Sequence, residues 1–142
     1  MKKEIWFDMD GTIADLYSVD NWLAKILVND VSPYENAKPL VNMNVLARIL
    51  NKLQKQGYKI GIVSWLAYGE NIDGEKIENA KRKWIKKHLH SVNFNHLDFL
   101  PYGTPKQNGR NGILFDDEEH NRKMWNDVSY DVDNIIGVLK AL

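Results

Sequence analysis

Five consecutive residues, Asp8-Met9-Asp10-Gly11-Thr12, set two carboxylates two positions apart, directly behind the apolar run Ile5-Trp6-Phe7. A carboxylate carried out of water at the end of a strand needs a cation or a dense set of hydrogen-bond donors. Asp-Gly is ordinary turn chemistry. That accounts for Asp10-Gly11 and leaves Asp8 without a reason. Three further polar groups stand at comparable places: Ser64 behind Ile60-Gly61-Ile62-Val63, Lys106 in a loop with Pro105 and Gly109, and Asp116-Asp117 behind Ile113-Leu114-Phe115. Parallel strands would bring these ends to one edge, where open α/β sheets bind their ligands. Four carboxylates gathered there repel one another, and a hard divalent cation with oxygen ligands relieves that repulsion. Mg²⁺ fits, since it takes carboxylates and keeps waters at about 2.1 Å. A lysine and a hydroxyl beside such a cation make a site for phosphoryl oxygens.

The elements that must position these groups follow from the pattern. Short strands are predicted at Glu4 to Phe7, Tyr58 to Trp65, within Phe94 to Leu100 and at Ile113 to Phe115, with a fifth near Val128 to Val132. Helical spacing marks Val19 to Val28, capped by Ser18, and an amphipathic segment with Val45, Leu46, Ile49, Leu50 and Leu53 that stops at Gly57. Residues 75 to 89 predict a further helix whose inward face is Ile77, Ala80, Trp84, Ile85 and Leu89. A short helix over 118 to 126 and a last one over 133 to 142 complete the series. Ser32-Pro33-Tyr34-Glu35-Asn36 reads as a break, and residues 101 to 112 as a long loop. Strands alternating with helices imply an α/β, three-layer Rossmann-like fold, a parallel sheet flanked by helices.

The chain has 142 residues, enough for one domain with a substantial core. Its formal net charge is zero, so no global field favours nucleic acid or a membrane. Charge is uneven: Lys76, Lys81, Arg82, Lys83, Lys86 and Lys87 crowd one helix, which reads as a solvated face. Without cysteine, disulfides and thiolate metal sites are excluded. No signal-like or membrane-spanning run is visible, so a cytoplasmic location is expected.

The order of these residues resembles the haloacid dehalogenase (HAD) superfamily of phosphotransferases. Its first motif, Asp-x-Asp-Gly-Thr, is matched by Asp8 to Thr12, its second by Ser64, its third by Lys106 and its acidic fourth by Asp116-Asp117. The match spans nearly the whole chain. A finer resemblance is to the 5'(3')-deoxyribonucleotidase branch, through the acidic pair ten residues after Lys106 and through Trp84-Ile85-Lys86-Lys87-His88-Leu89. Two departures set this chain apart: Trp65 follows Ser64 where that branch commonly has a second hydroxyl, and the insert behind the first motif is short. About residues 14 to 40 remain for it, too few for a full helical cap, so a single core domain with a minimal cap is expected.

The resemblance implies roles. Asp8 would attack phosphorus and form an aspartyl-phosphate. Asp10 would protonate the leaving oxygen and later deprotonate water. Ser64 and Lys106 would bind and stabilise the phosphoryl group, with Arg110 the rival to Lys106. Asp8, Asp10, Asp116 and Asp117 would hold Mg²⁺, Asp116 being the better choice for direct contact. Trp65, where this chain departs from the branch, flanks the crevice in sequence and is expected to bind substrate by that position, with packing as the other reading. Tyr17, Trp22 and Tyr68 also flank the crevice in sequence, as stacking partners or as packing. The histidines lack metal spacing and read as surface or packing residues.

The leading expectation is a Mg²⁺-dependent phosphomonoesterase acting on a small phosphomonoester, a nucleoside monophosphate being favoured. A second is a 3'-phosphatase acting on a nucleic-acid end, served by an open crevice and the basic helix. From another class comes an aspartate-phosphorylated receiver domain, disfavoured because its lysine would follow the acidic groups and the Ser/Thr. A catalytically idle binding module is disfavoured by retention of all four motifs.

Overall fold

The computed structural model describes residues 3–142 and shows five parallel strands in one sheet, flanked by helices. β1 (Glu4–Phe7), β4 (Lys59–Trp65), β5 (His96–Leu100), β6 (Ile113–Phe115) and β7 (Val128–Tyr130) stand in the order β5-β4-β1-β6-β7. β1 is central: Phe7 aligns with Ile62 on one side and with Phe115 on the other. The expected α/β three-layer architecture is the one observed, and every expected strand is present with ends moved by one or two residues.

Side chains alternate across the sheet. Ile5, Phe7, Ile60, Ile62, Ile113 and Phe115 face one layer, made of α3 (Met43–Lys55), α4 (Gly74–His88) and α6 (Ile135–Lys140), and share one core with Leu46, Leu50, Trp84, Ile85 and Leu139. Trp6, Val63 and Leu114 face the other layer with Trp125, which closes α5 (Glu119–Met124). That second layer is thin, and the Trp6 ring fills much of it. Gly61 makes room, because a Cβ there would collide with the ring. Arg110 covers the outer side of Trp6 with its guanidinium 5.5 Å from the ring centroid.

Between β1 and α3 the chain makes an excursion. Its base is a two-stranded antiparallel ladder of β2 (Ala14–Asp15) and β3 (Lys38–Pro39), in which Ala14 pairs with Pro39. Within it, α1 (Trp22–Leu27) is shorter than the periodicity predicts. Ser18 closes a 3₁₀ turn, and Asn21, in the left-handed region, stands at the helix start. The segment read as a break is a second short helix, α2 (Ser32–Asn36), with Pro33 in its first turn. Proline lacks only a donor that a first helical turn leaves unused, so here it opens a helix instead of ending one. Tyr34 from α2, with Leu16 and Ile26, packs on Ile77 and Ala80 of α4. Asn29 ties the excursion to the opposite loop: its side chain donates to the Asn71 carbonyl at 2.7 Å and accepts from Asp73 N–H at 2.8 Å. No helix among the described residues is long and apolar enough to cross a membrane.

Candidate active site

The carboxyl ends of β1, β4 and β6, together with the loop after β5, meet in one crevice. Asp8 follows β1, Ser64 is the last residue but one of β4, and Asp116-Asp117 follow β6. The loop from Pro101 to Gly112 carries Lys106 back over this edge, where it is 3% exposed. Its ammonium donates to Asp8 Oδ1 at 2.9 Å and to Asp116 Oδ2 at 2.8 Å, and lies 5.1 Å from the Trp65 ring centroid. Burial alone would lower the Lys106 pKa. The two carboxylates outweigh it and hold the ammonium above the usual lysine range.

Asp8, Asp116 and Asp117 each bring a carboxylate oxygen within 4.8 Å of the others. Asp116 is fully buried. Its second oxygen accepts Glu118 N–H at 2.9 Å, and Asn121 donates to the first at 3.2 Å. Thr12 joins the outer pair: its hydroxyl lies 3.2 Å from Asp8 Oδ2 and from Asp117 Oδ1, and it accepts Asp117 N–H at 3.2 Å. Gly11 permits this closeness, since with φ +79° its missing Cβ would collide with Asp117 and with the Tyr17 ring. Burial, then the Asp8 charge, raises Asp116 to about 6. Burial and the hydrogen bond with Asp8 raise Asp117 to about 8. Three carboxylate oxygens crowded in one crevice suit a hard divalent cation, and Mg²⁺ fits this donor set.

Asp10 lies at the same edge, on the side of Lys81. Its carboxylate lies outside the metal-ligand group and turns instead to Lys81, at 2.9 Å. Lys81 is fully buried on the inward face of α4 and supplies the Asp10 carboxylate with a cation of its own. Lys81 also donates to Ser64 Oγ at 2.8 Å and to the Trp65 carbonyl at 2.7 Å, with the Tyr34 ring centroid 5.1 Å away. Desolvation raises the Asp10 pKa, and Lys81 opposes that rise. The basic helix is therefore not a wholly solvated face. Lys81 falls four residues after Ile77 and three before Trp84, and that spacing marks it as inward.

Arg110, the alternative to Lys106, is paired with Asp98 at 2.9 Å on the far layer. Trp65 sits beside the site with its indole N–H donating to the Thr104 carbonyl at 2.7 Å. His88 packs on Trp84 and His96 on Trp6. In front of the carboxylates opens a cavity of about 530 Å³. The excursion forms one wall with Tyr17, Trp22, Leu23 and Ile26, and the end of β4 with the loops after β4 and β5 forms the other with Trp65, Tyr68 and Tyr102. Among the described residues its charged lining consists of Asp8, Asp10, Lys106 and Glu118.

The chain matches no family model and no curated protein. A solved structure described as "Structure of Pnkp1/Rnl/Hen1 complex" contains a chain of similar fold, with a TM-score of 0.57 and 17% identity over 92% of this chain and 46% of that one. The present chain thus spans less than half the length of that neighbour, and the likeness is one of fold. Fold and sheet topology place the chain among three-layer, Rossmann-like α/β proteins.

Proposed function

We propose that the chain is a Mg²⁺-dependent phosphomonoesterase of the HAD type that works through an aspartyl-phosphate on Asp8. The observation that carries this reading is Lys106, bonded at once to Asp8 and Asp116 while a third carboxylate, Asp117, completes an oxygen cluster. Mg²⁺, held by Asp8, Asp116 and Asp117, would screen the approach of a phosphate dianion to these acids. An Asp8 oxygen attacks phosphorus, the ester P–O bond breaks, and Asp10 gives its proton to the leaving oxygen. Water then attacks the phosphoryl group, Asp10 takes its proton, and the bond to Asp8 breaks to release phosphate. Lys106 and the Ser64 hydroxyl bind the phosphoryl oxygens throughout. Removing the protein's stabilising donors from an oxyanion costs about 10²–10³ in rate per group, which is the scale expected of Lys106.

The favoured substrate is a nucleoside monophosphate. A cavity of about 530 Å³ is of the size that encloses a small ligand. Its walls bear Tyr17, Trp22, Trp65, Tyr68 and Tyr102, suited to a planar ring. A nucleic-acid end is the weaker reading, since a polyanion calls for a track of cations and the charged lining is mainly acidic. Residues 14 to 40 would act as a small cap, and the cavity that it helps to wall favours an enzyme over a receiver domain. A panel of phosphomonoesters assayed with Mg²⁺ and with excess chelator tests the proposal. Hydrolysis that chelator abolishes and Mg²⁺ restores is expected, strongest for a nucleoside monophosphate. Full activity in chelator would refute it.

A further inference from the structure

Lys81 lies outside the four motifs, yet its ammonium is among the most completely buried charges of the chain, at 0% exposure. Isolated burial of an ammonium is costly, so such a lysine is retained only where its partners compensate fully. All three N–H groups are engaged: with Asp10 Oδ2 at 2.9 Å, Ser64 Oγ at 2.8 Å and the Trp65 carbonyl at 2.7 Å. The Tyr34 ring closes the remaining side. These acceptors come from the turn after β1 and from the end of β4, while Lys81 comes from α4 and Tyr34 from the excursion. One side chain thus fixes four separate pieces of the crevice relative to one another.

We propose that Lys81 is a positioning residue, which holds the Asp10 carboxylate at the leaving-group side of Asp8. This rests on the phosphatase reading above. Lys81 itself exchanges no proton with substrate: the proton moves between Asp10 and the leaving oxygen, then between water and Asp10. Division of labour follows from the geometry. Lys106 is bonded to the attacking carboxylate and to Asp116, whereas Lys81 is bonded to the proton-transferring carboxylate. Removing Lys81 should therefore harm substrates in proportion to their need for leaving-group protonation.

The test compares kcat/KM of Lys81→Met and wild type on two Mg²⁺-supported substrates, an alkyl phosphomonoester and 2,4-dinitrophenyl phosphate. The first expels a strongly basic alkoxide that needs a proton, and the second expels a phenolate that does not. The proposal predicts a loss of about 100-fold on the alkyl ester and no more than a few-fold on the aryl ester. Equal losses on both would make Lys81 a structural residue only and overturn the inference. Should Lys81→Met not fold, Asp10→Asn and the double variant Lys81→Met/Asp10→Asn decide the question, since the double variant buries no unpaired charge. If Lys81 acts through Asp10, the double variant and Asp10→Asn agree within a few-fold on the alkyl ester; a further drop of about 30-fold or more would contradict that. Wild-type protein inactive on both esters would instead refute the phosphatase reading, a separate outcome.

Discussion

Two buried lysines divide the crevice. Lys106 comes from the loop after β5 and bridges Asp8 and Asp116, whose carboxylates cluster with that of Asp117. Lys81 comes from the middle of a regular helix and meets one carboxylate, one hydroxyl and one carbonyl. Three acids share the half of the crevice that holds the first cation and leave an excess of negative charge, and burial with mutual repulsion raises Asp116 and Asp117. The second cation has one acid, and that half of the crevice is balanced without help. The difference teaches where, under the proposed chemistry, a divalent cation would be held: on the Lys106 side, by the carboxylates of Asp8, Asp116 and Asp117.

Breaking the Lys106 side should cost most. Asp8→Asn keeps the shape of the side chain and removes the attacking carboxylate, so turnover should fall by at least about 10⁴-fold while the fold persists. Steady-state hydrolysis and a melting curve on one preparation check both halves of this statement. Lys106→Met should follow, with a loss of about 10²–10³-fold in kcat. That loss should fall on alkyl and aryl esters alike, in contrast to the selective loss expected at Lys81. A Lys106 variant that discriminated between the esters would erase the distinction between the two lysines.

Legibility in sequence divides along the same line. Asp8, Ser64 and Asp116 stand at the ends of apolar strands, and a parallel sheet has one edge at which such ends meet, so their convergence is readable. Lys106 is readable from the ordered loop around it. Lys81 is hidden, because a helix carrying Lys76, Arg82, Lys83, Lys86 and Lys87 reads as a solvated face, although position 81 shares the inward stripe of Ile77 and Trp84. With that cation out of sight, the bond between the Asp10 carboxylate and Lys81 is not readable either. Pro33 misleads in the excursion, since a proline in a first turn and a proline ending a helix look alike without the surrounding packing. Thr12 is legible as part of a motif but not as the hydroxyl joining Asp8 to Asp117.

Smaller effects sharpen the comparison. Trp22→Ala removes an aromatic wall of the cavity contributed by the excursion. It should weaken nucleoside monophosphate binding by about 1–3 kcal/mol and leave a non-aromatic ester such as glycerol phosphate nearly unaffected. Equal losses in the two KM values would mean that Trp22 only packs the excursion. The smallest effect concerns pH. Asp116 and Asp117 have folded-state values of about 6 and about 8, both above the ordinary 3.8. Between about pH 4 and pH 8 the metal-free folded chain therefore holds protons that the unfolded chain has released. Their contribution to stability is greatest at low pH and falls as pH rises. Mg²⁺ binds the ionised forms, so the rise in Tm on adding Mg²⁺ should be larger at pH 8 than at pH 5, by about 4 °C. Asp117→Asn should flatten that pH dependence, whereas a change on the Lys81 side should leave it in place.

The central claim is that Asp8 receives the phosphoryl group. A crystal structure of the protein with Mg²⁺ and beryllium fluoride tests it without any knowledge of the substrate. The account predicts BeF₃⁻ bonded to an Asp8 oxygen, its fluorides within hydrogen-bond distance of Lys106 and Ser64, with Mg²⁺ held beside Asp116. Beryllium fluoride on Asp10, Asp116 or Asp117, with Asp8 free, would contradict it.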